Sequence, residues 1–189
     1  MTTSLPTSNV QPAGHRARIS LRPANVHDAH RLRQWRAEPS VREFQPLRDV
    51  SVAQLRADIG SQRMSHIYRG RGERFIWIIE ADEVPCGWIT LVVSNWEHGL
   101  CEIGYALSTD FHGRGVMTDS LSILVPELFF KTPLERIEAR CAVGNRGSQR
   151  VLEKLGFRRE GVLRGYFLLH GERVDHVLYG LLREDYVPV

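Results

Sequence analysis

The sequence is poor in the features that would assign it quickly. Its three cysteines, Cys86, Cys101 and Cys141, are widely spaced, with no CxxC pair and no histidine cluster beside them. That leaves no disulfide framework and predicts no metal, and it implies reduced, buried thiols in a cytoplasmic protein. Long apolar runs are missing too. None approaches the ~20 residues a membrane span needs, and the polar start MTTSLPTSNVQPAGHR has no signal-peptide core. Lysine is scarce: the basic residues are nearly all arginine, scattered among acids, for a formal charge of +3. Such a balance argues against a long nucleic-acid track and suits a small anionic ligand. There is no Gly-Lys pair from which to build a P-loop, no internal repeat and no low-complexity segment.

What is present is enough for one domain. With 42% hydrophobic residues in 189, the chain can bury a sizeable core, and we expect a loose tail over residues 1–16 followed by a single domain over 17–189. The pattern is mixed α/β. ARISLRP alternates as a strand, and Asn25 with Asp28, Leu32 and Trp35 predicts a capped helix that stops near Pro39. A second helix is expected from Ser51 through Leu55 and Ile59 to about Met64. RFIWIIEA, GWITLVVSNW and LCEIGYALS read as three antiparallel strands, divided by turns at Asp82–Pro85 and His98-Gly99. Met117, Leu121, Leu124 and Leu128 recur at helical spacing. RIEARCAV is a further strand, and a short helix follows from about Arg146 to Leu155, capped by Asn145 and stopped at Leu155-Gly156-Phe157. The C-terminal stretch reads as strands around a turn at His170-Gly171.

The loop DFHGRGVMTDS, residues 110–120, lies between a strand and a helix. Unpaired amides at a helix start favour an anion, and Gly113 and Gly115 let several amides converge, with Arg114 able to add charge. A dinucleotide fingerprint would need glycine where Thr118 stands. A plain tight turn is the rival reading. In the strand before the loop, Cys101, Ile103, Tyr105 and Leu107 share one face and Glu102, Gly104, Ala106 and Ser108 the other. The second face is a carboxylate at the end of a nearly bare trough, or simply a solvated sheet face.

The run CEIGYALSTDFHGRGVMTDSL, followed by NRGSQRVLEKLGFRREG, resembles the GCN5-related N-acetyltransferases, in particular the RimJ/RimL type, over roughly residues 17–185. The resemblance implies a largely antiparallel mixed sheet of about seven strands, flanked by about four helices, whose fourth and fifth strands splay around acetyl-CoA. It implies that the amides of Gly113, Arg114, Gly115, Val116, Met117 and Thr118 hold the pyrophosphate, with His112 also at the cofactor. Tyr105, Ala106 and Leu107 would hydrogen-bond the pantetheine arm like an added strand, with Asn145 on its other side.

Acetyl transfer to an amine needs a base, an oxyanion donor and a proton for the departing sulfur. Glu102 is the expected base, its pKa raised in a partly desolvated trough, and a backbone amide near Tyr105–Leu107 the oxyanion donor. Many acetyltransferases carry a tyrosine seven residues after the motif asparagine, where this chain has Leu152; in the RimJ/RimL type a serine three residues after it is the expected acid, here Ser148. Asp110 departs from the usual Gln or Arg of the loop. Arg36, Arg42, Phe44 and Gln45 are expected on the acceptor side, by position in the family.

The expected function is direct acetyl transfer in a ternary complex to a protein N-terminus. The rivals are a small amine acceptor, a non-catalytic acyl-CoA module, and a basic RNA-binding domain, against which the glycine loop, Glu102 and Asn145 argue together. A homodimer is expected from the resemblance. His98, His112, His170 and His176 lack metal-ligand spacing, and Trp77, Trp88 and Trp96 are expected in the core or the cleft wall.

Overall fold

The computed structural model describes residues 16–187; the expected tail therefore lies outside the described residues except for Arg16. β1 (Ile19–Pro23) leads through a 3-10 turn into α1 (Ala29–Ala37). The Asn25–Asp28 capping box forms, with the His27 amide donating to Asn25 Oδ1 and the Asn25 amide to Asp28 Oδ2, both at 2.9 Å. It caps the 3-10 turn rather than α1 itself. Pro39 ends that helix and opens a single turn, α2 (Pro39–Arg42), where its missing N–H costs nothing.

α3 (Val52–Ser61) starts at its Ser51 cap as expected but stops short of Met64, which begins a separate turn, α4 (Met64–Ile67). The cause is tertiary. Gln62 turns extended because its side-chain amide donates to the Ala24 carbonyl and accepts from the Ile76 amide, both at 2.9 Å. Among the described residues α2 and α4 bring the helices to six, where about four were expected; each is only four residues long.

The remaining elements are β2 (Arg74–Ala81), β3 (Val84–Asn95), β4 (Leu100–Leu107), α5 (Val116–Lys131), β5 (Arg136–Ala142), α6 (Arg146–Lys154), β6 (Arg158–Leu169) and β7 (Glu172–Leu182). They form a seven-stranded sheet in the order β1-β2-β3-β4-β5-β7-β6, antiparallel except for β4 with β5. On one face Leu32 and Trp35 of α1 and Leu55 and Ile59 of α3 cover Ile76, Ile78 and Trp88, with the Trp35 and Trp88 rings stacked at 6.3 Å. The other face carries the larger core beneath α5, where Met117, Leu121, Leu124 and Leu128 are all buried, as their spacing predicts. α6 ends as its sequence indicates: Gly156 takes φ 84°, and the Phe157 amide bonds back to the Leu152 carbonyl at 3.1 Å.

One parallel pair in an antiparallel sheet demands a crossover, and α5 supplies it. The crossover sets the N-terminus of α5 beside the C-terminal end of β4. β4 and β5 pair only through Leu100–Arg136, Cys101–Ile137 and Glu102–Glu138. Beyond that seam β4 continues to Leu107 against β3 and β5 to Ala142 against β7, and the two strands diverge.

Two tests bear on this frame. A Cβ on Gly87 would lie 2.8 Å from Leu107 Cδ2 and closer still to the Ala106 carbonyl. Gly87→Ala should therefore cost about 1–3 kcal/mol, as overpacking does, read from the urea midpoint. In the second, Arg22 grips Asp28 through two bonds of 2.7 and 2.8 Å. Burial alone would raise the Asp28 pKa, but Arg22 and the Asn25 amide outweigh it and the net shift is downward. The stabilisation is then complete above the unfolded-state value of about 4 and is lost as the pH falls through the lower folded value. Asp28→Asn should flatten that acid-side loss in denaturation curves taken at falling pH.

Candidate active site

The diverging strands leave backbone edges without a strand partner. The Ser108 amide donates to the Cys86 carbonyl at 2.8 Å and the Ala106 carbonyl faces Gly87, so the even-numbered residues of β4 turn their polar backbone to β3. Alternation then turns Ile103, Tyr105 and Leu107 to the opening. Two of their carbonyls are already engaged: Gln45 Nε2 donates to Tyr105 O at 2.7 Å, and His112 Nε2 donates to Leu107 O at 3.0 Å. What the edge chiefly retains for a ligand is N–H donors.

Above the opening lies the helix start. Gly113 and Gly115 take φ 73° and 81°, and a Cβ on either would meet nothing within 4 Å. Gly115 is the N-cap of α5 and offers no side chain to its first amides. The amides are therefore left without a side-chain partner and are open to an anion. Asp119 in the first turn is turned away from that space by Arg16, whose Nε bonds it at 3.0 Å.

The cleft beneath measures about 780 Å³, within the range of small-molecule and cofactor sites. It is lined by Tyr105, Ala106, Leu107, His112, Gly113, Gly115, Val116, Met117, Thr118, Asn145 and Ser148. Arg114 is not among its lining residues; its guanidinium lies over the Phe111 ring, 5.6 Å from the centroid. Asp110 is exposed and does not line the cleft either. The sequence reading passed over a basic stripe: Arg146, Arg150 and Lys154 of α6 also line this cleft. Their spacing of four residues places them on one helix face, a signal present in the sequence and fitted to a polyphosphate.

A second cavity of about 250 Å³ adjoins the first and shares Phe44, Gln45, Tyr105, Asn145 and Ser148 with it. Glu102 and Arg36 line only this second cavity, whereas Arg42 lines neither and pairs with Asp49. Glu102, expected in a partly desolvated trough, is half-buried and has a partner that the sequence did not reveal. Its side chain is 35% exposed, and Arg140 of β5 binds its Oε2, leaving Oε1 without a protein partner among the described residues. The ion pair sits where the seam ends and tethers the two strands.

A second tie crosses the gap on the helix side. The Tyr105 hydroxyl meets Ser148 Oγ at 2.8 Å, while Asn145 Oδ1 caps α6 by accepting from the Ser148 amide at 3.0 Å. Burial pushes the Tyr105 phenol well above its usual pKa, against the pull of the Ser148 bond, so it stays protonated. Cys141 lines the second cavity, and burial pushes its thiol up to about 11. Cys86 and Cys101 are buried and free as well.

A sheet parted beside a helix N-terminus, with a long cleft on one side and a carboxylate on the other, can seat an anionic ligand beside a second one. A family model described as an acetyltransferase (GNAT) domain matches residues 18–158, and the chain belongs to that family. An uncharacterized N-acetyltransferase p20 of Bacillus licheniformis is 32% identical over 89% of this chain and 95% of its own length. The ribosomal protein uS5-alanine N-acetyltransferase of Escherichia coli is 27% identical over 90% and 91%. Among solved structures, Mycobacterium smegmatis RimJ in complex with CoA-disulfide superposes with a TM-score of 0.76 at 26% identity, covering 88% of this chain and 82% of that one. The chain is an N-acetyltransferase of the RimJ/RimL type and uses acetyl-CoA. No helix among the described residues is long and apolar enough to cross a membrane.

Gly115→Glu would force a side chain and its charge into the loop. CoA affinity measured by calorimetry should fall by at least about tenfold, the loss of one good charge-assisted contact.

Proposed function

We propose that the chain acetylates the N-terminal α-amino group of a protein, of the ribosomal-protein kind, by direct attack within a ternary complex. The observation that carries this reading is the meeting of the two cavities at Tyr105, Asn145 and Ser148, with Glu102 on the side away from the glycine loop. The rim of the second cavity includes exposed Arg74 and Gly104, which suits an extended peptide better than an enclosed small amine. The uS5-alanine relative points the same way. Buried free thiols fit a reducing cytoplasmic setting.

When bound, acetyl-CoA supplies an activated thioester. The amides of residues 113–118 hold its diphosphate, with Arg146, Arg150 and Lys154 adding charge. Glu102 Oε1 takes the proton from the incoming ammonium group, directly or through a water. Amides of β4 that face the opening donate to the carbonyl oxygen as negative charge grows on it. Ser148 Oγ gives its proton to the departing sulfur, and the protonated Tyr105 hydroxyl donates to the same oxygen as that proton leaves. The Cys141 thiol, protonated at neutral pH, is a poor nucleophile, which favours direct transfer over an acetyl-enzyme.

The test pairs variants with acceptor identification. Glu102→Gln should lower kcat by about a hundredfold, the scale of general base catalysis, with the KM for acetyl-CoA little changed. Ser148→Ala and Tyr105→Phe should each slow thiol release and, being linked, should not add in the double variant. Mass spectrometry of acetylated peptides should place the group on the α-amine. Exclusive acetylation of small amines would move the assignment to that acceptor class.

A further inference from the structure

The second cavity holds more positive charge than the proposed chemistry uses. Arg140 is spent on Glu102 and Glu138. Arg36 and Arg74 also line the cavity, and neither has a carboxylate at ion-pair distance among the described residues. Arg36, from α1, donates through Nη2 to the Arg48 carbonyl at 3.1 Å, while its Nε is buried with no hydrogen-bond partner. A buried guanidinium nitrogen without an acceptor is costly. Burial, then Arg74 and Arg42, lower the pKa of Arg36, offset only in part by Asp58 and Asp49. Two arginines that disfavour each other at a cavity wall form a place for an anion.

The register locates that place relative to the amine. Arg74 pairs with Val92 and Val92 with Glu102, so the three lie in one row on one sheet face. At ~4.8 Å between strands, the Arg74 Cα lies roughly 10 Å from that of Glu102. An extended peptide advances about 3.3–3.6 Å per residue. With its amine at Glu102, its second and third residues lie about 3–7 Å along that line, where a carboxylate can meet the Arg74 side chain reaching back from its own Cα. The track between is open: Gly104 is exposed, and a Cβ there would meet nothing within 4 Å.

We infer that the acceptor is an N-terminal segment with a carboxylate at its second or third residue, bound by Arg36 and Arg74. The inference rests on the proposed transfer to a peptide amine and narrows it. It also disfavours polyamines, whose distal cations would meet the same arginines.

The experiment uses full-length protein, acetyl-CoA and three octapeptides that begin with alanine and differ only in carrying Glu-Glu, Gln-Gln or Lys-Lys next. Wild type should acetylate the Glu peptide with kcat/KM about tenfold above the Gln peptide and about a hundredfold above the Lys peptide. Arg36→Gln should reduce that preference. Arg74→Glu, at an exposed position, should reverse the order of the Glu and Lys peptides, an outcome that a merely structural role would not produce. Calorimetry of the same peptides with CoA-saturated protein reads the preference independently of turnover. Equal binding and equal rates for the Glu and Gln peptides, or an order unmoved by Arg74→Glu, overturns the inference while leaving peptide acetylation standing. Acetylation of spermidine with no peptide bound overturns both.

Discussion

The structure depends on a hydrogen-bond ladder that stops. Among the described residues β4 and β5 are the only parallel neighbours in the sheet, and they pair through three residues before parting. A sheet seldom leaves an interior edge unmade, because each unpaired amide that loses water carries a penalty. Here the carbonyls on the open edge are answered by Gln45 and His112, and the amides are kept in reserve. The seam creates the cleft, α5 brings its helix start to the cleft's mouth, and Glu102 marks the point at which pairing ends.

The two cavities are less separate than their chemistry. Gln45, from the loop after α2, lines both cavities and reaches the β4 edge through its bond to the Tyr105 carbonyl. Tyr105 sends its backbone to the opening and its hydroxyl to Ser148, while Asn145 holds Ser148 at the start of α6. A substitution at any of these positions alters the lining of both cavities. Glu38 adds rigidity from the outside: it accepts from the Ser108 hydroxyl and from the Thr109 amide, both at 2.9 Å, and so binds the α1–α2 corner to the end of β4.

Elements whose signals are local were legible in the sequence. The apolar spacing of α5, the Asn145 cap and the Gly156 stop each need only a few adjacent residues, and each is found where the residues place it. The glycine loop and the three central strands follow for the same reason. What escaped depends on partners distant in sequence. Gln62 breaks α3 by bonding to Ala24 and Ile76, Arg140 converts Glu102 from a lone carboxyl into half of an ion pair, and Arg114 leaves the cleft for the Phe111 ring. The basic face of α6 was readable from spacing alone, once the helix was known to border a ligand.

The short seam also has a mechanical side. The sheet is two plates, β1 to β4 and β5 to β7, hinged at Glu102 and Glu138. Swinging the plates about that line breaks no ladder bonds beyond it, because none exist there to break. Resistance comes from the Glu102–Arg140 and Tyr105–Ser148 ties and from the helices that bridge the plates. Widening the aperture for a bulky thioester would therefore require no strand to unzip.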